Sequence, residues 1–233
     1  MVSASRRFVS GGAQLALASW NASYLRDLPN DVRDQLLADA FVTTVPAGEA
    51  IYSAFGDARF VLISSGRVRV QALALDGRAA TIRYAGAGQI IGLPSTVAHR
   101  SPVGAQAVSD CVVVGLNVVR IHRLVARRPE VGELLLREVT SILFETIELL
   151  VENLFGTVLQ RVSRHLVDLA IETPDGLLVK SDQRSVAEAI GSVREVVARA
   201  LRTLRQEGIL VRRNDGLLIV DRDRLVQYSL AET

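Results

Sequence analysis

The strongest constraint in this sequence is a two-faced helical pattern over residues 192–208, SVREVVARALRTLRQEG. At 100° per residue, its apolar side chains fill one arc of a helix and its charged side chains fill the other. The apolar arc holds Val193, Val196, Val197, Ala200, Leu201 and Leu204, and the charged arc holds Arg194, Glu195, Arg199, Arg202 and Arg205. Such a helix packs on a core with one side and presents charge on the other.

Both ends of this helix carry sequence signals. Ser192 is predicted to cap the first turn, and Glu195, three residues later, to return the hydrogen bond as a capping box. Gly208 is predicted to end the helix. The preceding residues, SDQRSVAEAIG, predict a shorter helix capped by Asp182 or Ser181, and the glycine that joins the two helices indicates a helix-turn-helix.

The segment that follows predicts a wing, and the charge of the region favours nucleic acid. GILVRRNDGLLIV places two apolar runs around Asn214-Asp215-Gly216, a hairpin signal. Residues 179–213 hold eight Lys and Arg against four Asp and Glu, a net charge of +4, whereas the rest of the chain carries −2. In a major groove, Arg can bind guanine and a carboxylate can bind the cytosine amino group. The alternative is a solvated face, in which Glu195 only caps the helix or pairs with Arg199.

Arg194, Glu195 and Arg199 form the pattern R-E-x-x-x-R after a turn glycine. In this pattern the sequence resembles the Crp/Fnr family of dimeric bacterial transcription regulators. The resemblance implies that the two arginines read guanines and Glu195 reads a cytosine, in TGTGA-like half-sites of a palindromic site on double-stranded DNA. RNA polymerase is a further partner that it implies for an activator. Contacts to the DNA backbone are expected from Lys180, Asp182, Arg184, Ser192, Arg202 and Arg213.

Residues 41–116 have a different pattern, short strands separated by turn signals: FVTTV, RFVLISS, RVRVQALAL, TIRYA, GAQAV and CVVVGL. This spacing predicts an antiparallel roll or barrel. The ordered motifs PAGEAIY, FVLISSGRVRV and AGAGQIIG resemble the cyclic-nucleotide-binding jelly roll of the same family. We therefore predict an α+β chain with an N-terminal antiparallel β-roll, a long dimerisation helix and a C-terminal winged helix-turn-helix.

The predicted domain boundaries follow from these patterns and from the resemblance, which extends over residues 27–228. We expect an N-terminal extension with a short helix at residues 1–26 and an effector-sensing roll at residues 27–128. A dimerisation helix and hinge are expected at residues 129–156, and a DNA-binding domain at residues 157–233.

A long helical stripe precedes the DNA-binding segment. The stripe consists of Leu135, Val139, Leu143, Ile147, Leu150 and Leu154, at steps of four, four, four, three and four. It predicts a homodimer in which one side of the helix packs on the roll and the rest contacts a partner helix; the alternative is a helix buried wholly in its own subunit. Phe155-Gly156-Thr157 then interrupts the run and resembles the hinge of the family, with Thr157 as the cap of the next helix.

The expected effector pocket departs from the family pattern. The candidate residues are Ile91, Gly92, Leu93, Arg100, Ser101 and Thr146. Cyclic-nucleotide-binding members carry a Glu where this chain has Leu93, and an Arg-Ser or Arg-Thr pair where it has Ser101 and Pro102; Arg100 could substitute after a one-residue slip, and Thr146 matches an adenine-contacting Thr. Because a buried phosphate needs charge-assisted bonds, we expect an unknown small-molecule effector other than cyclic AMP and assign no certain cofactor. A cyclic-nucleotide-responsive regulator with a non-standard pocket is the alternative.

Several other classes of protein are disfavoured by composition. The single cysteine, Cys111, excludes an intramolecular disulfide framework and is predicted to be buried in its apolar run. His99, His122 and His165 are expected to be structural rather than haem or metal ligands. A cupin-like enzyme would need clustered His and carboxylates, and the sequence has no such cluster, nucleophile elbow or P-loop, so we predict no enzyme. No apolar run reaches the roughly 18 residues of a membrane span, so a cytoplasmic protein is expected.

Overall fold

The computed structural model of the protein describes residues 11–57, 59–73, 79–98 and 103–230. These residues form two compact units. The first consists of the described residues up to 73 and of residues 82–145, and the second is made mainly of residues 146–230. The division falls within one long helix, so the predicted dimerisation helix is shared between the two units rather than being a separate segment.

The first unit is built on a β-roll of two four-stranded sheets. Its strands are β1 (Phe41–Val45), β2 (Ala50–Tyr52), β3 (Phe60–Ser65), β4 (Val68–Leu73), β5 (Ala79–Ala85), β6 (Ile90–Ile91), β7 (Val103–Ala107) and β8 (Cys111–Leu116). One sheet has the order β1-β8-β3-β6 and the other has the order β2-β7-β4-β5. The predicted roll is confirmed, and Cys111 is buried between the sheets as expected. The predicted Asp76-Gly77 turn lies outside the described residues.

Helices close one side of the roll. They are α1 (Gly12–Asn21), a 3-10 turn (Tyr24–Asp27), α2 (Asn30–Leu37), α3 (Leu93–Ala98) and α4 (Val118–Arg127). Trp20 of α1 is almost fully buried and packs in one core with Phe60 and Leu62 of β3. The short helix expected in the N-terminal extension is α1, and it contributes to the core of the roll, because Ala16 and Trp20 lie one turn apart on the same side of it.

The long helix α5 (Pro129–Phe155) has the predicted bounds, but its exposed apolar residues are not the predicted ones. Leu135 is buried in the core of the roll, so assigning it to a dimer interface was wrong, whereas Val139 is half-buried against the same core. The exposed apolar side chains begin one residue later, with Leu136, and include Leu143, Phe144, Ile147, Leu150, Val151, Leu154 and Phe155. The exposed stripe starts one residue later than predicted because the side of the helix that carries Leu135 packs on the roll.

The second unit has the predicted winged helix-turn-helix arrangement. Its elements are α6 (Val158–Leu169), β9 (Ile171–Thr173), β10 (Gly176–Val179), α7 (Gln183–Ala189), α8 (Arg194–Gln206), β11 (Leu210–Arg213), β12 (Gly216–Ile219) and α9 (Arg222–Leu230). Thr157 caps α6, since its hydroxyl accepts a bond from the Gln160 N–H at 3.2 Å within a capping box. The four strands form one antiparallel sheet in the order β11-β12-β10-β9.

Candidate nucleic-acid interface

The turn between α7 and α8 fixes the position of the charged helix. The Asp182 carboxylate accepts a hydrogen bond from the Ser185 N–H at 2.7 Å and caps α7, so Asp182 rather than Ser181 is the cap of the two that the sequence allowed. Gly191 then adopts a left-handed conformation with φ +63°, which a side chain rarely allows. The Ser192 N–H donates to the Ala187 carbonyl at 2.9 Å, and α8 begins two residues later.

The two faces of α8 are as predicted except at the start of the helix, where Val193, assigned to the apolar face, is exposed. Val197, Ala200, Leu201 and Leu204 are buried, whereas Arg194, Glu195, Arg199 and Arg202 are exposed on the other side. Gly208, with φ +74°, ends the helix, and the Ile209 N–H donates back to the Leu204 carbonyl. The buried side fixes the helix on its own unit, and the exposed side leaves its first turn and charged residues open to a partner.

The predicted capping box at the start of α8 was wrong. The helix is capped by Val193, whose side chain makes no capping hydrogen bond, and Ser192 stays in the preceding turn because its N–H is bonded to Ala187. In the described part of the chain, no hydrogen bond or ion pair engages the carboxylate of Glu195, and none joins it to Arg199. Both structural roles that the sequence allowed for Glu195, capping and an i,i+4 pair, are therefore unfilled.

The hairpin after α8 forms the predicted wing. β11 pairs with β12 in antiparallel register with Arg213 opposite Gly216, so Asn214 and Asp215 make the turn. Arg212 and Arg213 are both exposed on this hairpin. Arg212 was missed by the sequence analysis, although its place beside Arg213 at the end of an apolar run is the signal that could have found it.

The residues predicted to contact DNA phosphates fall into two groups. Lys180 and Arg202 are exposed, and Ser192 is half-buried in the turn before α8. Arg184 lies 2.9 Å from Glu188 and Arg213 lies 3.0 Å from Asp175, so each guanidinium already has a carboxylate of its own unit. The Glu188 hydrogen bond raises the pKa of Arg184. Asp182 acts as the cap of α7, and the Ser185 backbone N–H and hydroxyl hold the pKa of its carboxyl below the usual range.

Leu93, which the sequence resemblance aligned with a ribose-binding position, is part of the hydrophobic core. Ile91 and Leu93 are both buried among apolar side chains of the roll, Leu93 completely. Gly92 lies between them with φ +88°, and a Cβ there would stand 1.8 Å from the Arg59 carbonyl oxygen, so this corner accepts only glycine. Of the other candidate pocket residues, Thr146 is half-buried on α5, and Arg100 and Ser101 lie outside the described residues.

Arg83 is a charged group of the roll that the sequence analysis missed. Its side chain is 13% exposed, one Nη donates to the Ile90 carbonyl at 2.7 Å, and the other lies 4.0 Å from Glu145 Oε2 on α5. Burial raises the pKa of Tyr52 to about 12 and also raises the pKa of Glu138, and the charge of Arg83 opposes both shifts. The alternation of β5 is the sequence signal that could have found Arg83. Arg83 lies two residues before the buried Ala85 and therefore points to the same face of the strand.

The described residues show no clustered metal ligands. No group of three or more His, Cys, Asp or Glu side chains in them is placed to hold a metal ion. His122 lies with Nε2 at 2.6 Å from the Thr96 carbonyl oxygen, and His165 is buried in α6. His99 lies outside the described residues. Among the helices that the structure describes, none combines the length and apolar character required to cross a membrane.

Two family descriptions match the chain in the order of its two units. The cyclic nucleotide-binding domain matches residues 42–128, and the Crp-like helix-turn-helix domain matches residues 160–228. A cyclic nucleotide-binding roll followed by a Crp-like helix-turn-helix defines a DNA-binding transcription regulator. The chain belongs to the Crp/Fnr family of these regulators.

Curated proteins agree with this membership, and a solved structure shares the fold. The chain is 29% identical over 194 residues to a CRP-like cAMP-activated global transcriptional regulator of Mycobacterium tuberculosis, covering 79% of this chain and 86% of that protein. It is 29% identical over 169 residues to the transcriptional regulator LdrP of Thermus thermophilus, covering 70% and 83%. The structure of FixK2 from Bradyrhizobium japonicum has the same fold, with a TM-score of 0.72 and 22% identity over 83% of this chain and 99% of that one.

Proposed function

We propose that this regulator acts as a homodimer that binds a palindromic DNA site with TGTGA-like half-sites. Arg194 and Arg199 would read guanines and Glu195 a cytosine, which requires side chains that are exposed and not engaged elsewhere. The observation that carries the proposal is the first turn of α8, where Arg194 and Glu195 are exposed and the carboxylate is not used as a cap. Free donors and a free acceptor at the front of a recognition helix fit the edges of G·C pairs.

Dimerisation is supported by the exposed apolar side of α5. Leu136, Leu143 and Leu150 are seven residues apart, and Ile147 and Leu154 follow at the same interval, so together with Thr140 they form a seam with alternating steps of four and three. Such a seam is typical of two helices packed side by side. Pairing with a second copy removes these side chains from water and supplies the second recognition helix that a palindromic site requires.

The effector that we propose is a small molecule other than cyclic AMP. The relative from Mycobacterium tuberculosis is described as cAMP-activated, so cyclic AMP is the competing candidate. Against it stands Leu93, which is fully buried in the apolar core where that class of ligand would need a carboxylate. Residues 27–128 would be the sensing part, residues 129–156 the dimerisation helix and hinge, and residues 157–233 the DNA-binding part.

The proposed setting follows from this role. A regulator of a bacterial chromosome acts in the cytoplasm, as a DNA-binding protein rather than as an enzyme. If it activates transcription, RNA polymerase is its second macromolecular partner.

Selection from a pool of random duplexes tests the proposal directly. The purified full chain is expected to enrich a two-fold symmetric site with G·C pairs in each half and with half-site centres about one helical turn apart. Selection is repeated with cyclic AMP present, and binding of the nucleotide is measured by calorimetry. A selected site without two-fold symmetry contradicts the proposed dimeric reader, and a micromolar or tighter cyclic AMP dissociation constant contradicts the proposed effector class.

A further inference from the structure

Val193 occupies a position where an apolar side chain is unfavourable for the helix. It is the N-cap of α8, with φ −96° and ψ 148°, and it makes no capping hydrogen bond. Ser, Thr, Asp and Asn stabilise this position because their side chains accept a bond from a free N–H of the first turn, whereas Val cannot. The neighbouring helices α6 and α7 do use such residues, Thr157 and Asp182.

The side chain of Val193 also lies outside the buried core of its unit. It is 60% exposed, and it stands next to Arg194 and Glu195 on the front of α8, where the exposed side chains are otherwise charged. A β-branched side chain is stiff about χ1, so it can make an apolar contact with little further loss of rotamer freedom. Neither helix stability nor the core of this unit accounts for Val193, whereas an apolar group on a partner would.

In a major groove the available apolar group is the 5-methyl group of thymine, which the other three bases of DNA lack. We propose that Val193 is a specificity-determining residue that packs against the 5-methyl group of a thymine beside the guanine read by Arg194. This inference rests on the proposed function, since it places the front of α8 in the groove. It adds an apolar contact to the three polar contacts already assigned.

Replacing thymine by deoxyuridine tests the contact, because it removes only the methyl group. The guanine of Arg194 is first identified as the position at which Arg194→Ala relaxes selection. Each thymine within two base pairs of it is then replaced by deoxyuridine, and affinity is measured for the wild-type chain and for Val193→Ala. At one position the wild-type chain should bind about fourfold more weakly to the uridine duplex, the size expected for one buried methyl group. Val193→Ala should bind the two duplexes almost equally.

Two further variants separate recognition from folding. Val193→Ser introduces a good cap, so its thermal midpoint should rise while its preference for thymine falls. Val220 is 57% exposed, close to the exposure of Val193, but lies after the wing, so Val220→Ala should retain the wild-type preference. The opposite movement of stability and specificity in Val193→Ser has no explanation in a purely structural role.

The outcomes distinguish the inference from the function on which it rests. If the wild-type chain selects a symmetric site but binds the thymine and uridine duplexes equally at every position tested, Val193 does not read thymine and the proposed function stands. An equal preference for thymine over deoxyuridine in Val220→Ala and in Val193→Ala would also overturn the assignment. If no symmetric site is selected, both proposals are wrong.

Discussion

Leu135 and Leu136 are neighbours in α5, about 100° apart around its axis, yet their exposures are 7% and 66%. The first residue belongs to the core of the roll, and the second begins the exposed seam that we assign to a second copy of the chain. Because the two sides bury their leucines against different partners, substitutions on them should have different effects: loss of folding at Leu135 and loss of assembly in the seam.

The first prediction concerns assembly. Leu143→Glu places a carboxylate in the seam, and we expect it to convert the dimer to a folded monomer that binds the selected DNA site far more weakly. Ser141→Glu adds the same charge to an exposed position of α5 outside the seam and should remain dimeric. Sedimentation velocity at micromolar protein measures both. A wild-type chain that sediments as a monomer without DNA would show the seam to be something other than a dimer interface.

The second prediction concerns Glu195. Because its carboxylate caps nothing, Glu195→Gln should leave the thermal midpoint within about 2 °C of the wild type, a shift of less than about 0.5 kcal/mol. Base preference should change, since the Gln amide can donate a hydrogen bond to an acceptor on a base edge, which a carboxylate cannot do. Repeating the site selection with this variant is the measurement. An unchanged consensus sequence would remove Glu195 from the set of reading residues.

The third prediction separates base contacts from phosphate contacts. Arg194→Ala and Arg199→Ala should each lose about 1–3 kcal/mol on the selected site and relax base preference at one position per half-site. Arg184→Ala should instead weaken all sequences similarly and reduce the slope of log affinity against log salt by about one per phosphate contact removed. Titrations of specific and scrambled duplexes at several salt concentrations give both quantities. Equal losses on the two duplexes in Arg194→Ala would argue against base reading.

The fourth prediction concerns the cap of α7 and its pH dependence. Asp182→Ala should cost about 1 kcal/mol of unfolding free energy at neutral pH, while Asp182→Asn, which can still cap, should cost less. The folded carboxyl has its pKa lowered from 3.8 by the Ser185 bonds, so its stabilisation is present above that pH and is lost as the pH falls through the lower folded value. Urea denaturation at a series of pH values should show the difference between wild type and Asp182→Ala shrinking below about pH 4. A difference that grows there would contradict the assigned cap.

The fifth prediction concerns the buried position Leu93. Leu93→Glu would place a carboxylate in an apolar core, so we expect a loss of several kcal/mol of stability and no gain of cyclic AMP binding. Leu93→Met keeps the volume and should cost less than about 1.5 kcal/mol. Calorimetric titration with cyclic AMP and thermal unfolding of both variants decide the point. A stable Leu93→Glu chain that binds the nucleotide would mean that the pocket can be restored by one residue.

The sequence predicts well those features that local periodicity controls. The charged face of α8, its glycine end, the cap of α7 by Asp182 and the wing at Asn214-Asp215 are confirmed, because each depends on residues within one or two turns of each other. The strands β2 and β6 were not predicted as separate elements. They are only three and two residues long and exist through pairing with β7 and β3, which no local pattern contains.

The errors at the two helices have one physical cause, a contact from outside the local pattern. Ser192 has the right chemistry for a cap, but its N–H is bonded to Ala187 of the preceding helix, so α8 starts after Val193. Leu135 has the right spacing for a dimer seam, but it is buried in the core of the roll. Arg83 was overlooked because its ion-pair partner, Glu145, is sixty-two residues away in the sequence.

The carboxylates beside Arg184 and Arg213 bear on how a regulator finds one site on a whole chromosome. In the absence of DNA, Glu188 and Asp175 partly neutralise these guanidinium groups. A random stretch of duplex offers only phosphates, so it must compete with carboxylates already in place, whereas the correct sequence adds base contacts that offset the exchange. On the proposed interface, this exchange lowers the affinity for wrong and correct sites by a similar factor, so the base contacts alone decide between them and the regulator leaves each wrong site sooner.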